Sequence, residues 1–141
     1  MSFEFVDAVT SDLCFVARGP DLAAVFGAAG DALLAATLED PGSVHERVER
    51  SIALREPDVE LLLLRFLNEL VYLRDAERLL LRARRLGVER DGEATLAAEL
   101  AGEPLDRARH VLLAEIKAAT AHGLRVVETP SGWEARVTLD V

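Results

Sequence analysis

This 141-residue chain has one cysteine, five prolines and only 5% aromatic residues. With Cys14 alone, no intramolecular disulfide can form, so the fold must rest on its core and its hydrogen bonds. No charged-apolar-small leader opens the chain, and the apolar run 61–64 stops at Arg65, so no stretch approaches the length of a membrane span. A cytoplasmic protein with no membrane contact is expected. Positive charge is also scarce, with 16 basic against 25 acidic residues and a formal net charge of -9. Gripping nucleic acid needs Lys and Arg clustered on one face, and the only dense basic run is Arg82, Arg84 and Arg85, near Arg74 and Arg78. That run reads as the solvated rim of a helix end and strand, so direct nucleic-acid binding is not expected, whereas an acidic surface suits a basic partner protein. Zinc-ligand spacing, a phosphate-cradling glycine loop and a serine or cysteine nucleophile motif are all missing, and no catalytic residue is assigned.

Half of the residues are apolar, enough for one compact core, and the length fits a single domain over 1–141. Segments 3–6 and 13–17 are short and rich in aromatic and β-branched residues, and predict strands on either side of a 7–12 connection. Gly19-Pro20-Asp21 signals a helix start, after which Leu22, Val25, Phe26, Ala29, Leu33 and Ala36 recur at helical spacing to about Leu38. Asp40-Pro41-Gly42-Ser43 is a loop, and 48–54 alternates as a half-buried strand does. Glu56-Pro57-Asp58 opens a second helix, apolar nearly all round over 59–73, which predicts a central position. Strands are predicted at 78–87, 94–100, 112–121, 124–128 and 134–141, with turns at Asp91-Gly92, Gly102-Glu103-Pro104, His122-Gly123 and Pro130-Ser131-Gly132. The expected architecture is α+β, a two-layer sandwich in which two main helices cover one face of a largely antiparallel mixed sheet.

The polar residues of the second helix, Asn68 and Glu69, need partners in so apolar a setting. Arg65, one turn before Glu69, is a candidate, with Tyr72 on the same stripe. In the last strand Asp140 faces opposite to Leu139 and Val141. A final strand held in a sheet would set the Asp140 carboxylate close to the α-carboxylate of Val141, a repulsion that a hard cation bound through oxygen relieves. Asp12 is either a solvated turn former or a third carboxylate, the latter if its strand lies beside the last one. Lys117 interrupts an apolar run and either pairs with Glu115 or has a functional role. His122 is a turn histidine or a ligand, His45 and His110 have no neighbouring ligand pattern, and Cys14 reads as a small core residue.

Four blocks in order over the whole length resemble the archease family. They are Thr10-Ser11-Asp12; Pro57-Asp58-Val59-Glu60-Leu61-Leu62 running into Phe66-Leu67-Asn68-Glu69-Leu70-Val71-Tyr72-Leu73; Glu115-Ile116-Lys117-Ala118 through His122-Gly123-Leu124; and Trp133 to the terminal Leu139-Asp140-Val141. The resemblance implies Asp12, Asp140 and the Val141 carboxylate as ligands of a divalent cation (calcium, magnesium or manganese), with Glu69 and Lys117 on the same functional surface. Asp58 matches a frequent family acid, although N-capping explains it equally well. Two positions depart from the family pattern: Val9 replaces a histidine and Ala121 an aromatic residue. The connection before Asp12 is also one residue longer. The family assists the RtcB-type RNA ligase of tRNA splicing and RNA repair, so the chain is expected to be an activator and not an enzyme, promoting guanylylation and multiple turnover of that ligase. The alternatives are a stand-alone metal-dependent phosphoryl-transfer enzyme and a chaperone-like binding module.

Overall fold

A computed structural model describes residues 1–7 and 12–141. Ala8, Val9, Thr10 and Ser11 lie outside the described residues, and with them the departure at Val9, most of the Thr-Ser-Asp block and the longer connection. The elements follow in the order β1 (Ser2–Val6), β2 (Leu13–Gly19), α1 (Leu22–Thr37), a 3-10 turn (Pro41–Ser43), β3 (Val48–Glu56), α2 (Val59–Glu77), β4 (Leu79–Asp91), β5 (Glu93–Pro104), β6 (Ala118–Thr129) and β7 (Gly132–Asp140).

Both helices begin where a short acidic side chain can take up orphan amides. Asp21 accepts from the Ala24 amide at 2.8 Å, and Asp58 from the Leu61 amide at 2.9 Å. α1 ends at the expected place. α2 runs one turn past it because Arg74, Asp75 and Glu77 are exposed or half-buried and break the apolar pattern without breaking the helix; Arg78 closes it in the left-handed conformation, φ 57°.

The α+β expectation holds. The expected single mixed sheet resolves into two purely antiparallel ones, β1-β2-β7-β6 and β3-β5-β4. α1 packs on β1, β2 and β7 and also on β4, while α2 packs on β6 and also on β3, β4 and β5. One buried cluster therefore joins both sheets, with Phe15, Phe26, Phe66, Leu67, Leu100 and Leu139 fully enclosed. Phe26 and Phe66 bring the helices together at a ring separation of 6.1 Å. A second, smaller cluster of Leu34, Leu38, Val44 and Leu80 receives Leu105.

Two turn expectations are corrected. Gly102-Glu103-Pro104 is the end of β5, and its glycine is required because a Cβ there would lie 1.7 Å from the Leu80 carbonyl oxygen. His122-Gly123 is no hairpin turn but a bulge inside β6: between the pairs Thr120↔Thr138 and Arg125↔Arg136, β6 advances five residues while β7 advances two, and Gly123 takes φ 68°. The predicted strands 112–121 and 124–128 are thus corrected to one strand, Ala118–Thr129, preceded by an irregular strap over 105–117 that touches α1 through a single bridge, Leu38↔Leu112.

Candidate functional site

Strand pairing gathers the predicted residues at one end of the four-stranded sheet. β2 pairs with β7 from Gly19↔Trp133 to Leu13↔Leu139, so Asp12, which precedes Leu13, and Asp140, which follows Leu139, adjoin the last pair. Asp140 lies on the face of β7 opposite to the buried Leu139. On the other flank of β7, Ala118 pairs with Asp140. The Lys117 amide donates to the Asp140 carbonyl at 2.8 Å, which holds the strap to the last strand. Asp12 and Asp140 are half-buried; Lys117 and Val141 are exposed. Lys117 is the only lysine in a chain that otherwise uses arginine.

α2 lies along the open edge of β6. Asn68 behaves as a strand would: its amide nitrogen donates to the Ala119 carbonyl at 3.0 Å and its oxygen accepts from the Ala119 amide at 2.8 Å. Glu60 accepts from the Val126 amide at 3.2 Å, and the Arg74 guanidinium donates to the Ile116 carbonyl. Three side chains of one helix thus satisfy an edge that would otherwise invite another strand. The two hydrogen bonds from Asn68 fix its turn of α2 against Ala119 at the start of β6. The suggested Arg65 partner for Glu69 is not used; Arg65 turns to Glu56 at 3.2 Å. Glu60 and Arg74 escaped sequence reasoning because their partners are backbone groups distant in sequence.

Other candidates take structural places. Asp58 is the cap of α2 and is exposed. His122 is exposed in the β6 bulge, beyond Thr120 from the strand end, with its amide 3.4 Å from the Thr120 hydroxyl; Ala121 is exposed beside it. Cys14 is buried within β2, as expected. Arg84 and Arg85 pair with Glu49 and Glu99, and Arg82 bonds the Pro41 carbonyl, so the basic run braces the second sheet and its neighbouring loop.

A polar knot under the strap has no signal in local sequence pattern. Glu103, 2% exposed, accepts from the His45 amide, pairs with Arg109, and lies 3.2 Å from Nε2 of His110, which is 1% exposed. The Asp106 amide donates to His110 Nδ1 at 2.9 Å, leaving Nε2 to carry the proton toward Glu103. Burial first, and the Arg109 charge second, lower the His110 pKa from its usual 6.5. On α1, burial raises the Asp31 carboxyl above its usual value, against the pull of Arg82.

Comparison with known proteins decides the family. The model of the Archease protein family (MTH1598/TM1083) matches residues 3–141. The chain belongs to the archease family. It is 34% identical to the protein archease of Methanosarcina acetivorans over 134 residues, covering 94% of this chain and 91% of that one. Against the protein archease of Archaeoglobus fulgidus it is 32% identical over 141 residues, the whole of both. Its fold is similar to the solution structure of Methanobacterium thermoautotrophicum protein 1598, with TM-score 0.84, 31% identity, and coverage of 99% of this chain and 98% of that one. The family match spans the sheet end, Asn68, Glu69 and the strap alike. No helix of this archease, among the described residues, is long and apolar enough to cross a membrane.

Proposed function

We propose that this archease activates an RtcB-type RNA ligase of tRNA splicing or RNA repair in the cytoplasm, catalysing no step itself. The observation that supports this reading is the pairing of Leu13 with Leu139 and of Ala118 with Asp140, with Asp12 preceding Leu13 and the Lys117 amide bonded to the Asp140 carbonyl. Carboxylates close to one strand end repel one another, and a cation bound there would relieve that repulsion. Asp12, Asp140 and the Val141 carboxylate form an oxygen-only donor set, which fits a hard divalent cation such as calcium, magnesium or manganese. Among the described residues there is no cluster of three His, Cys, Asp or Glu side chains able to hold a metal. When bound, the cation would supply positive charge at the sheet end.

The chain's own residues do the rest. Asn68 locks β6 to α2, so Lys117 and the turn bearing Glu69 are held on a rigid base. Lys117 then presents a cation and Glu69 an anion to the docked ligase, next to the two aspartates. The negative surface implied by the net charge of -9 favours a ligase surface rich in positive charge and metal. The test is multiple-turnover ligation by the cognate ligase with and without this protein. Asp140→Ala is expected to abolish stimulation while leaving the fold intact; undiminished turnover with that variant would overturn the reading.

A further inference from the structure

The strap that leads into β6 presents Val111, Leu112 and Leu113 to solvent at 57%, 36% and 60% exposure. Three consecutive exposed apolar side chains are costly in water and mark a contact surface more often than a bare loop. The segment is not loose: the Glu39 amide donates to the Val111 carbonyl at 2.9 Å, and the Leu113 amide to the Thr37 carbonyl at 2.9 Å. Its backbone is tied to the end of α1, so the side chains are held outward on a fixed frame.

Beside them lies a groove of about 400 Å³ between the strap and the C-terminal end of α2, lined by Leu105, Leu112 and Leu113 and by Arg74, Arg78 and Arg107, with two carboxylates, Asp75 and Glu115, also in the lining. Arg74 is committed to Asp75 and the Ile116 carbonyl. Arg78 and Arg107 are exposed, and among the described residues neither side chain has a hydrogen bond or ion pair. In a chain of net charge -9, two uncommitted guanidinium groups beside leucines form a local exception.

We propose that this groove is a docking site for an extended segment of a partner protein that alternates acidic and apolar side chains. The apolar residues cover the leucines and the carboxylates meet Arg78 and Arg107, each of which can take a carboxylate in two parallel hydrogen bonds. A nucleic-acid strand fits less well, because the lining has no aromatic ring on which a base could stack and its leucines would stay wet. The proposal does not rest on the ligase reading.

The experiment uses the full-length protein and a labelled synthetic hexapeptide of alternating aspartate and leucine, followed by fluorescence anisotropy and by amide shifts in ¹⁵N-labelled protein. The expected result is binding that shifts amides of the strap and the α2 end. Arg107→Glu combined with Arg78→Gln should weaken it about tenfold, and Leu113→Ser by a similar factor. These side chains are exposed, so an unchanged melting temperature checks that each variant is folded. Asp140→Ala should leave peptide binding unchanged, which separates this site from the ligase-activating end. The proposal is overturned if the peptide does not bind, or if aspartate–serine or lysine–leucine peptides bind equally. It is also overturned if a uridine hexamer shifts these amides in the peptide's place, or if sedimentation shows a second copy covering the strap.

Discussion

Two places in this molecule gather acidic residues against their neighbours, and they are built in opposite ways. Under the strap, Glu103 is 2% exposed and meets the His45 amide, Arg109 and His110. At the sheet end, Asp12 and Asp140 are half-buried and adjoin the Leu13↔Leu139 pair, with exposed Lys117 bonded through its amide to the Asp140 carbonyl. A buried carboxylate surrounded by donors is what folding demands, since leaving it unpaired costs several kcal/mol. The second arrangement is the one on which the proposed function rests.

Breaking the knot should therefore have the largest effect on stability. Glu103→Ala leaves Arg109 and the His45 amide without their acceptor and is expected to cost about 3 kcal/mol, read as a lower midpoint in urea. Stimulation of the ligase by the folded fraction should persist; selective loss of stimulation at unchanged stability would reverse the assignment of the two regions. Next, Asn68→Ala strips both bonds from Ala119 and should cost about 2 kcal/mol. Hydrogen exchange at the Ala119 amide should accelerate with it, and unchanged protection would mean that the β6 edge is held without Asn68.

A smaller effect comes from pH. His110 has a folded pKa below 6.5, so the unfolded chain takes up its proton first, and the stability owed to neutral His110 is complete above 6.5. That stability declines as pH falls from 6.5 through the lowered value, and His110→Gln should flatten this slope in urea titrations. Stability that rises on acidification would show Glu103 holding His110 charged. The smallest expected change in stability is at the sheet end. Asp140→Ala should shift it by no more than about 0.5 kcal/mol, and upward when no cation is present. A large loss there would make Asp140 a structural residue like Glu103.

Much of the fold was legible in local pattern. Asp21 and Asp58 precede their helices as capping residues do, and the alternation of Val48 to Leu54 marks β3, which continues to Glu56. The reading failed where an apolar run has no structural period of its own. Val111, Leu112 and Leu113 look like strand residues, yet they lie on an exposed strap, because the strand partner that would have covered them is not there. His122-Gly123 looks like a turn, yet the chain continues through it as a bulge, since a glycine at positive φ serves either.

The amino-acid sequence by itself determined the family, the two helices with their caps, most strands and the short set of polar residues that stand out against apolar surroundings. Only the tertiary structure decided which of those residues meet. Antiparallel pairing of β2 and β6 on either side of β7 is what carries Asp12 and Lys117 to Asp140, over separations that no local periodicity encodes. The same long-range packing assigned Asn68 to the Ala119 backbone and buried Glu103 among its donors, because burial and backbone partners belong to the assembled sheets and not to any one segment.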